Sequence, residues 1–376
     1  MGLFVDQKKV VFATVLFSIV SIVSFATAKE RHVFKGIEGS LLLGAQYDDN
    51  VNDYSQKYFD RFKNLEDPGR FHIVSFDDAS ASAKLNLEGK FSFFRKRQTA
   101  VNASAYYEMF AHDTIDRNAK FSVGLGQQVA RKTYIHLTYS LVPHQYLYHF
   151  RDKDWSAILG SKSSEAFQSF DYKKDAASFR ILQYFGKRTS VSGELEYERY
   201  FYNTHYTEYD SKRYVGALRG AHEINDALTV TCAYTLGRNK AKGYDGDVAG
   251  ETKQSSDDAD DSFWENKGAL GLQWYLPEIF GMRHSLGFNG SLAHQYYTSQ
   301  KDPAIDKTHA GRLENILHAS AAYTVSLTNS LALQVEYARA ERWAGSSFAL
   351  NNEYIKEEKD YSKNLARLTL QYAFGK

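Results

Sequence analysis

The chain has little of what many functional classes require. Cys232 is its single cysteine, which excludes a disulfide framework and a thiolate metal cluster. The 46 Lys and Arg are almost balanced by 45 Asp and Glu, so the basic excess typical of nucleic-acid-binding proteins is absent. A mean hydropathy of −0.49 is too polar for a bundle of membrane-spanning helices. What the chain does have is 27 Tyr, 25 Phe and 4 Trp, or 15% aromatic residues, and this excess needs an explanation.

Residues 1–28 have the three parts of a secretory signal peptide. Lys8 and Lys9 precede an apolar run over residues 10–25, and Ala26-Thr27-Ala28 provides a small-x-small cleavage site. The alternative is a membrane anchor, but the run is shorter than the roughly 20 apolar residues that span a bilayer. We therefore predict an exported mature chain, 29–376, in which basic and acidic residues are equal in number.

Beyond residue 28, the recurring pattern is strict alternation of apolar with polar or small residues. In the segment 331–338, one face would carry Leu331, Leu333, Val335 and Tyr337, and the other face Ala332, Gln334, Glu336 and Ala338. Because side chains alternate faces along a strand, this pattern predicts a strand between two different media. About fourteen such segments occur, centred near residues 42, 83, 105, 124, 138, 179, 196, 217, 233, 270, 290, 319, 336 and 369.

The connections between these segments alternate in length. Every second one is a short turn, near residues 95–97, 131–132, 186–188, 225–226, 277–283 and 328–330. The others are mostly long and polar, near residues 48–70, 111–118, 151–168, 204–211, 241–261, 298–311 and 342–360. Short turns at one end and long loops at the other are typical of a transmembrane antiparallel barrel.

On this evidence the mature chain resembles a bacterial outer-membrane β-barrel protein, porin-like, over essentially its full length. The resemblance implies an all-β, up-and-down antiparallel barrel of about 14 strands, located in the cell outer membrane, with periplasmic turns and extracellular loops. It also implies contact with lipid and lipopolysaccharide, and insertion by the outer-membrane assembly machinery. The final strand reaches an aromatic residue at Phe374, but Gly375 and Lys376 follow it, which departs from the family's aromatic terminus.

The barrel interpretation explains the aromatic excess as two interfacial belts. The loop-side candidates are Tyr200-Phe201-Tyr202, Phe263-Trp264, Tyr296-Tyr297 and Trp343; the turn-side candidates are Phe93-Phe94, Trp274-Tyr275 and Phe374. A secreted soluble sandwich is the alternative, but its strand ends have no reason to be aromatic.

The inward register predicts a polar lumen of nearly balanced charge. Its predicted acidic residues are Glu38, Glu88, Glu108, Glu194, Glu196, Glu198, Glu265, Glu314 and Glu336, and its basic residues are Lys84, Lys90, Lys120, Arg180, Arg213, Arg219, Lys267 and Arg367. The other inward-facing residues are mostly small or hydroxylated, which favours an open pore. The alternative is that the charged residues pair across the lumen and close it. One strand aligns Glu194, Glu196 and Glu198, and neighbouring strands bring Arg180, Arg213 and Arg219 towards them. We expect either a charged lumen constriction or a structural ion-pair network.

We therefore expect a channel for passive diffusion of small polar solutes, with no cofactor. The alternative is an export or assembly barrel for polysaccharide or a surface lipoprotein, with a periplasmic partner docked on basic turns such as Arg131-Lys132. In support of that alternative, Tyr47-Asp48-Asp49-Asn50-Val51 is similar to a segment of surface-lipoprotein-assembly modifiers and exopolysaccharide-associated outer-membrane proteins. The modifiers also carry a helical-repeat domain ahead of their barrel, which this chain lacks.

The sequence contains no residue spacing that demands catalysis or a metal site. Six of the twelve histidines are candidates for a catalytic group, but without a nucleophile at a fixed spacing we interpret them as surface or belt residues: His136, His144, His149, His205, His294 and His318. Two acidic stretches, around Asp48 and around Asp257, could hold a hard cation, but solvated loops are the commoner meaning of this pattern. We expect a protein that is not an enzyme, and the sequence leaves the solute and the oligomeric state open.

Overall fold

The computed structural model describes residues 34–67, 69–92, 97–160 and 163–375. Within these ranges fourteen strands form one closed antiparallel barrel, in which sequence neighbours pair and β1 pairs with β14. The predicted signal peptide, 1–28, lies outside the described residues. The strands are β1 (Phe34–Asp48), β2 (Asp78–Ser92), β3 (Gln98–Phe110), β4 (Arg117–Ala130), β5 (Thr133–Arg151), β6 (Phe167–Phe185), β7 (Thr189–Tyr202), β8 (Ser211–Asn225), β9 (Leu228–Ala241), β10 (Phe263–Ile279), β11 (Met282–Tyr297), β12 (Arg312–Ser326), β13 (Leu331–Ser346) and β14 (Tyr361–Phe374).

The predicted fold class, strand number and alternation of short turns with long loops are confirmed. The largest difference is in β5 (Thr133–Arg151), whose centre lies nearer the loop side than the predicted residue 138, although its end agrees with the loop predicted near residues 151–168. Its ladder to β6 skips from Val142 to Gln145. Pro143 lies in that gap and has no N–H to donate, so an irregularity there lets the strand continue beyond it.

The outer face of the barrel is apolar and exposed. Leu195, Leu218 and Leu270 each expose 60% or more of their surface and point away from the lumen. A closed barrel leaves no unpaired strand edge, and an apolar outer band is stable against hydrocarbon rather than water. The chain is therefore a membrane-spanning barrel of the outer membrane.

The seam between the first and last strands is closely packed. The ring of Phe374 covers Gly39, where an added Cβ would lie 2.3 Å from a ring carbon. Gly39 and Phe374 are also partners in the ladder between β1 and β14. Because Gly39 has no side chain, the ring of Phe374 can lie directly over it and cover the seam.

Three helices lie in the loops: α1 (Gln56–Lys63), α2 (Lys153–Leu159) and α3 (Ala349–Lys359). The carboxylate of Asp152 accepts a hydrogen bond from the Trp155 N–H and caps the N-terminus of α2. In the described part of the chain, each helix is too short or too polar to cross a bilayer.

The loop-side aromatic residues do not all form the predicted belt. Phe201, Trp264 and Tyr296 are exposed on the outer face, as a belt requires. Their sequence neighbours Tyr200, Tyr202, Phe263 and Tyr297 point inwards, because adjacent residues of a strand face opposite sides. The interpretation of each pair or triplet as a belt unit was therefore wrong for about half of its residues. Phe93 and Phe94 lie outside the described residues.

Candidate functional site: the lumen and its cap

The loop 49–77 folds into the mouth of the barrel. The side-chain amide of Asn52 donates to the carbonyl oxygen of Leu147, 2.8 Å away, on β5. Asp67 forms an ion pair with Arg151, also on β5, at 3.0 Å. Since β5 is four strands from β1 in the wall, the loop crosses the lumen rather than standing above it. We call this loop, together with the loops 203–210, 298–311 and 347–360 that pack around it, the cap.

The base of the crossing loop is fixed to the wall by the acidic segment that follows β1. Asp48 accepts from the Asn50 N–H at 2.9 Å and forms an ion pair with Lys363 at 3.3 Å. Both carboxylate oxygens of Asp49 accept hydrogen bonds from Asn364, at 2.7 Å each. These carboxylates, one of the two predicted hard-cation candidates, therefore anchor the loop to β14.

A second contact joins α1 to α3 across the mouth. Glu358 accepts from the Tyr58 hydroxyl and forms an ion pair with Lys57 at 2.9 Å. Burial opposes the charge of Glu358, but these two donors hold its pKa below the usual value. Only 9% of the Glu358 side chain is exposed, so the contact is shielded from bulk water.

Aromatic rings fill the space beside the crossing loop. Phe170 of β6 packs against Tyr206 and Tyr209 of the loop 203–210, with ring centroids 4.9 and 5.0 Å apart. Tyr209 also contacts His309 at 6.0 Å, which joins this cluster to the loop 298–311. Part of the aromatic excess thus holds the cap together, with apolar faces packed and hydroxyls directed to polar partners.

Several titratable groups are buried in the cap or, like Asp116 in the loop between β3 and β4, beside it, and their pKa values are displaced. Burial raises the pKa of Asp116 to about 7, aided by the charges of Asp113 and Glu108. Burial likewise raises the pKa of Glu208 to about 8. Burial lowers the pKa of Lys359 to about 7, and the nearby guanidinium groups of Arg312 and Arg342 lower it further. Burial thus moves the pKa values of these two carboxyl groups and this amine towards neutrality from opposite sides.

Two cavities lie one above the other in the barrel. The upper cavity, about 500 Å³, lies under the cap and is bordered by Asp48, Tyr58 and Arg342. The lower cavity, about 720 Å³, extends towards the turn side and is bordered by Arg180, Lys267 and Ser320. Lys363 and Leu365 line both cavities, so the two meet at these residues.

Four of the six predicted constriction residues form ion pairs. Arg219 forms an ion pair with Glu194. Arg213 bridges Glu198, at 3.3 Å, and Glu265, at 2.7 Å. Within the described ranges, Glu196 and Arg180 form no ion pair, although Arg180 faces Glu194 in the ladder.

Four lumen-side cations of the described residues were not predicted, and one of them is Lys363, which borders both cavities. Lys174 forms an ion pair with Glu198 at 2.6 Å. Arg312 donates from Nε to Glu314 at 2.9 Å, and Arg342 approaches the same carboxylate at 3.7 Å. All four could have been found by extending the inward register of their strands to the loop end.

The histidines have varied surroundings. His294 is outward-facing and accompanied by Asn315 at 2.9 Å, whereas His136 and His318 face the lumen. The imidazole of His149 stacks on that of His72, with centroids 3.6 Å apart. The interpretation of all six as surface or belt residues was thus wrong for His136, His149 and His318.

The second acidic stretch forms a cluster in the loop 242–262. Asp245, Glu251 and Asp258 place carboxylate oxygens within 4.8 Å of one another. The Asp245 N–H donates to Asp258, and Ser256 donates to the same carboxylate. These bonds give the cluster a role in loop structure.

No protein-family model and no curated protein matches the chain. Similar solved structures include the outer membrane channel DcaP of Acinetobacter baumannii, with 11% identity over 92% of this chain and 99% of that chain and a TM-score of 0.46. A bacterial polysaccharide outer membrane secretin has 7% identity, covers 89% and 98%, and scores 0.44. The anion-selective porin from Comamonas acidovorans has 10% identity, covers 90% and 98%, and scores 0.42. Likeness at this level carries no argument about function, and the barrel fold rests on the strand pairing itself.

Proposed function

We propose that the protein is an outer-membrane channel for passive diffusion of small polar solutes. The observation that carries this proposal is the pair of stacked cavities that meet at Lys363 and Leu365. A polar lumen lowers the cost of taking a hydrated solute across the hydrocarbon layer, and no cofactor or energy source is needed.

The cap would act as the filter of this channel. The crossing loop and α3 narrow the mouth, and the solute must pass the upper cavity between them. Aromatic and charged groups line this cavity in nearly equal measure, so large or strongly apolar solutes would be excluded. We expect a small conductance with frequent closures, in contrast to the steady current of a wide pore.

Conductance in a planar bilayer tests the proposal. Purified full-length protein should give discrete open steps, and proteoliposomes should admit small sugars. Silent bilayers together with impermeable proteoliposomes would overturn it. That result would favour the alternative, an export or assembly barrel with a periplasmic partner. Of the basic turn proposed for docking, Lys132 donates to the Gly186 carbonyl oxygen at 2.8 Å, so part of the turn already has a structural partner.

The six charged residues of β6, β7 and β8 would form the constriction: Arg180, Glu194, Glu196, Glu198, Arg213 and Arg219. Glu196→Gln and Arg219→Gln should each change ion preference, since both side chains face the lumen. Glu341→Gln is a matched control, because Glu341 faces outwards and pairs with Arg339. Unchanged conductance and ion preference in both lumen variants would remove the constriction from the proposal.

A further inference from the structure

Among the described residues, the lumen contains cations that form no ion pair with a carboxylate. Within the described ranges, Lys84, Lys120, Arg180 and Lys267 face the lumen and form no ion pair, hydrogen bond or ring contact. Glu196 is a lumen-facing carboxylate in the same situation, but it does not border the lower cavity. The nearly equal numbers of basic and acidic residues in the sequence, 46 and 45, therefore hide an uneven distribution of unpaired charge.

Two of these free cations border the same space. Arg180 on β6 and Lys267 on β10 line the lower cavity, four strands apart in the wall, so they approach it from different directions. Both are only partly exposed. A planar guanidinium and an ammonium that share a cavity suit a carboxylate, which the guanidinium can bind through two oxygens.

The other charged groups of the lower cavity are already paired. Arg219 pairs with Glu194, and Glu336 pairs with Arg367 at 3.4 Å. Lys363 pairs with both Asp48 and Asp53, the latter at 2.7 Å. The net positive charge available to a solute in this cavity therefore comes from Arg180 and Lys267.

The remaining wall is suited to the body of a small organic molecule. Apolar and small residues alternate with hydroxyl and amide groups, among them Leu182, Ser192, Thr231, Gly271, Asn289 and Ser320. The volume of about 720 Å³ lies in the range of small-molecule sites, which is about 300–1,000 Å³. A solute with a carboxylate and several hydroxyls would match both parts of the wall.

We propose that the lower cavity is a binding site for small hydroxylated organic anions, with Arg180 and Lys267 as the carboxylate-binding residues. The proposal deepens the proposed channel function, on which it rests, by naming the class of solute. Hydroxyl-bearing residues hold the solute body, and the two cations retain its charged end before release on the turn side.

Glucuronate and glucose are suitable probes, because they share a hydroxylated ring and differ in the carboxylate. Binding to the detergent-solubilised full-length protein is measured by saturation-transfer NMR. The variants are Arg180→Gln, Lys267→Gln and the double variant. Lys84→Gln is the matched control, since it removes a free lumen cation that does not border the lower cavity.

We expect glucuronate to bind more tightly than glucose. Each single variant should weaken glucuronate binding about threefold or more, and the double variant about tenfold or more, with glucose unaffected. Lys84→Gln should stay within about twofold of wild type. Equal binding of the two sugars would overturn the site, as would an unchanged double variant or a Lys84→Gln effect as large as that of Arg180→Gln.

The two proposals fail in different ways. Silent bilayers and impermeable proteoliposomes, with intact and variant-sensitive glucuronate binding, would overturn the channel and leave the binding site standing. Open channels without glucuronate binding would overturn the site and leave the channel standing.

Discussion

Releasing the contact between α1 and α3 should loosen the cap. Glu358→Gln preserves the shape of the side chain and one acceptor oxygen, but removes the charge that Tyr58 and Lys57 contact. Glu358 is almost entirely shielded from water, so water cannot replace the contacts that its charge makes. An exposed ion pair, by contrast, is screened by solvent and contributes little. Hydrogen bonds to a charged group contribute about 1.5–3 kcal/mol, so we expect a loss of about 2 kcal/mol.

A loss of that size changes the population of the open cap by a large factor. Since about 1.4 kcal/mol corresponds to tenfold, 2 kcal/mol corresponds to roughly 30-fold. Hydrogen exchange of the α1 amides should accelerate by about that factor, while amides in the barrel strands remain unchanged. In bilayers, the fraction of time spent closed should fall.

Glu357→Gln is the matched control for this variant. Glu357 contacts the same Lys57, at 3.2 Å, but 61% of its side chain is exposed. An exposed pair contributes about 0–1 kcal/mol, so exchange in α1 should change by less than about fivefold. If the two variants accelerated exchange equally, or if neither did, the cap would not depend on the buried contact and the reasoning would be refuted.

Three further predictions concern the cap and its surroundings. Glu314→Gln leaves Arg312 and Arg342 without their buried carboxylate and should cost about 3–5 kcal/mol in denaturant unfolding, whereas Asp226→Asn in an exposed turn pair should cost less than about 1 kcal/mol. Gly311→Ala should destabilise more than Gly281→Ala, because both have positive φ but only at Gly311 would the new Cβ meet Ser347 and Phe348; equal melting temperatures would contradict the clash. Glu208 has a folded-state pKa above its unfolded value, so its protonated form favours the folded loop. This stabilisation is lost as pH rises from about 4 to 8. Hydrogen exchange in the loop 203–210, corrected for intrinsic rates, should therefore accelerate over that range in wild type but not in Glu208→Gln.

The barrel could be predicted because its signal is repeated fourteen times. Each strand separates lipid from a polar lumen, so period-two alternation appears in the sequence wherever a strand crosses the membrane. The segment around Pro143 is instructive, because the alternation stops there although the strand continues to Arg151. The alternation located the regular ladder, and the polar loop predicted near residues 151–168 located the end of the strand, but neither revealed the irregularity between them.

The cap could not be predicted, because its contacts join distant segments. Tyr58 and Glu358 are 300 residues apart, and neither belongs to a periodic pattern. Phe201 and Tyr202 are adjacent aromatic residues that the sequence does not distinguish, yet Phe201 faces lipid and Tyr202 packs beneath the cap. Ion pairing is equally non-local, so the sequence supplied the residues of the lumen but not which of them remain free.

The seam between Gly39 and Phe374 has a consequence for biogenesis. These partners come from the first and last strands, so no sheet that lacks either strand can close, and every incomplete sheet has two open edges. A chain truncated before Tyr361 would expose β1 and β13 together, each ready to pair with a neighbouring molecule. The pairing of β1 with β14 joins residues more than 300 positions apart, so it is the ladder of highest contact order in the barrel and the one on which protection of both edges depends.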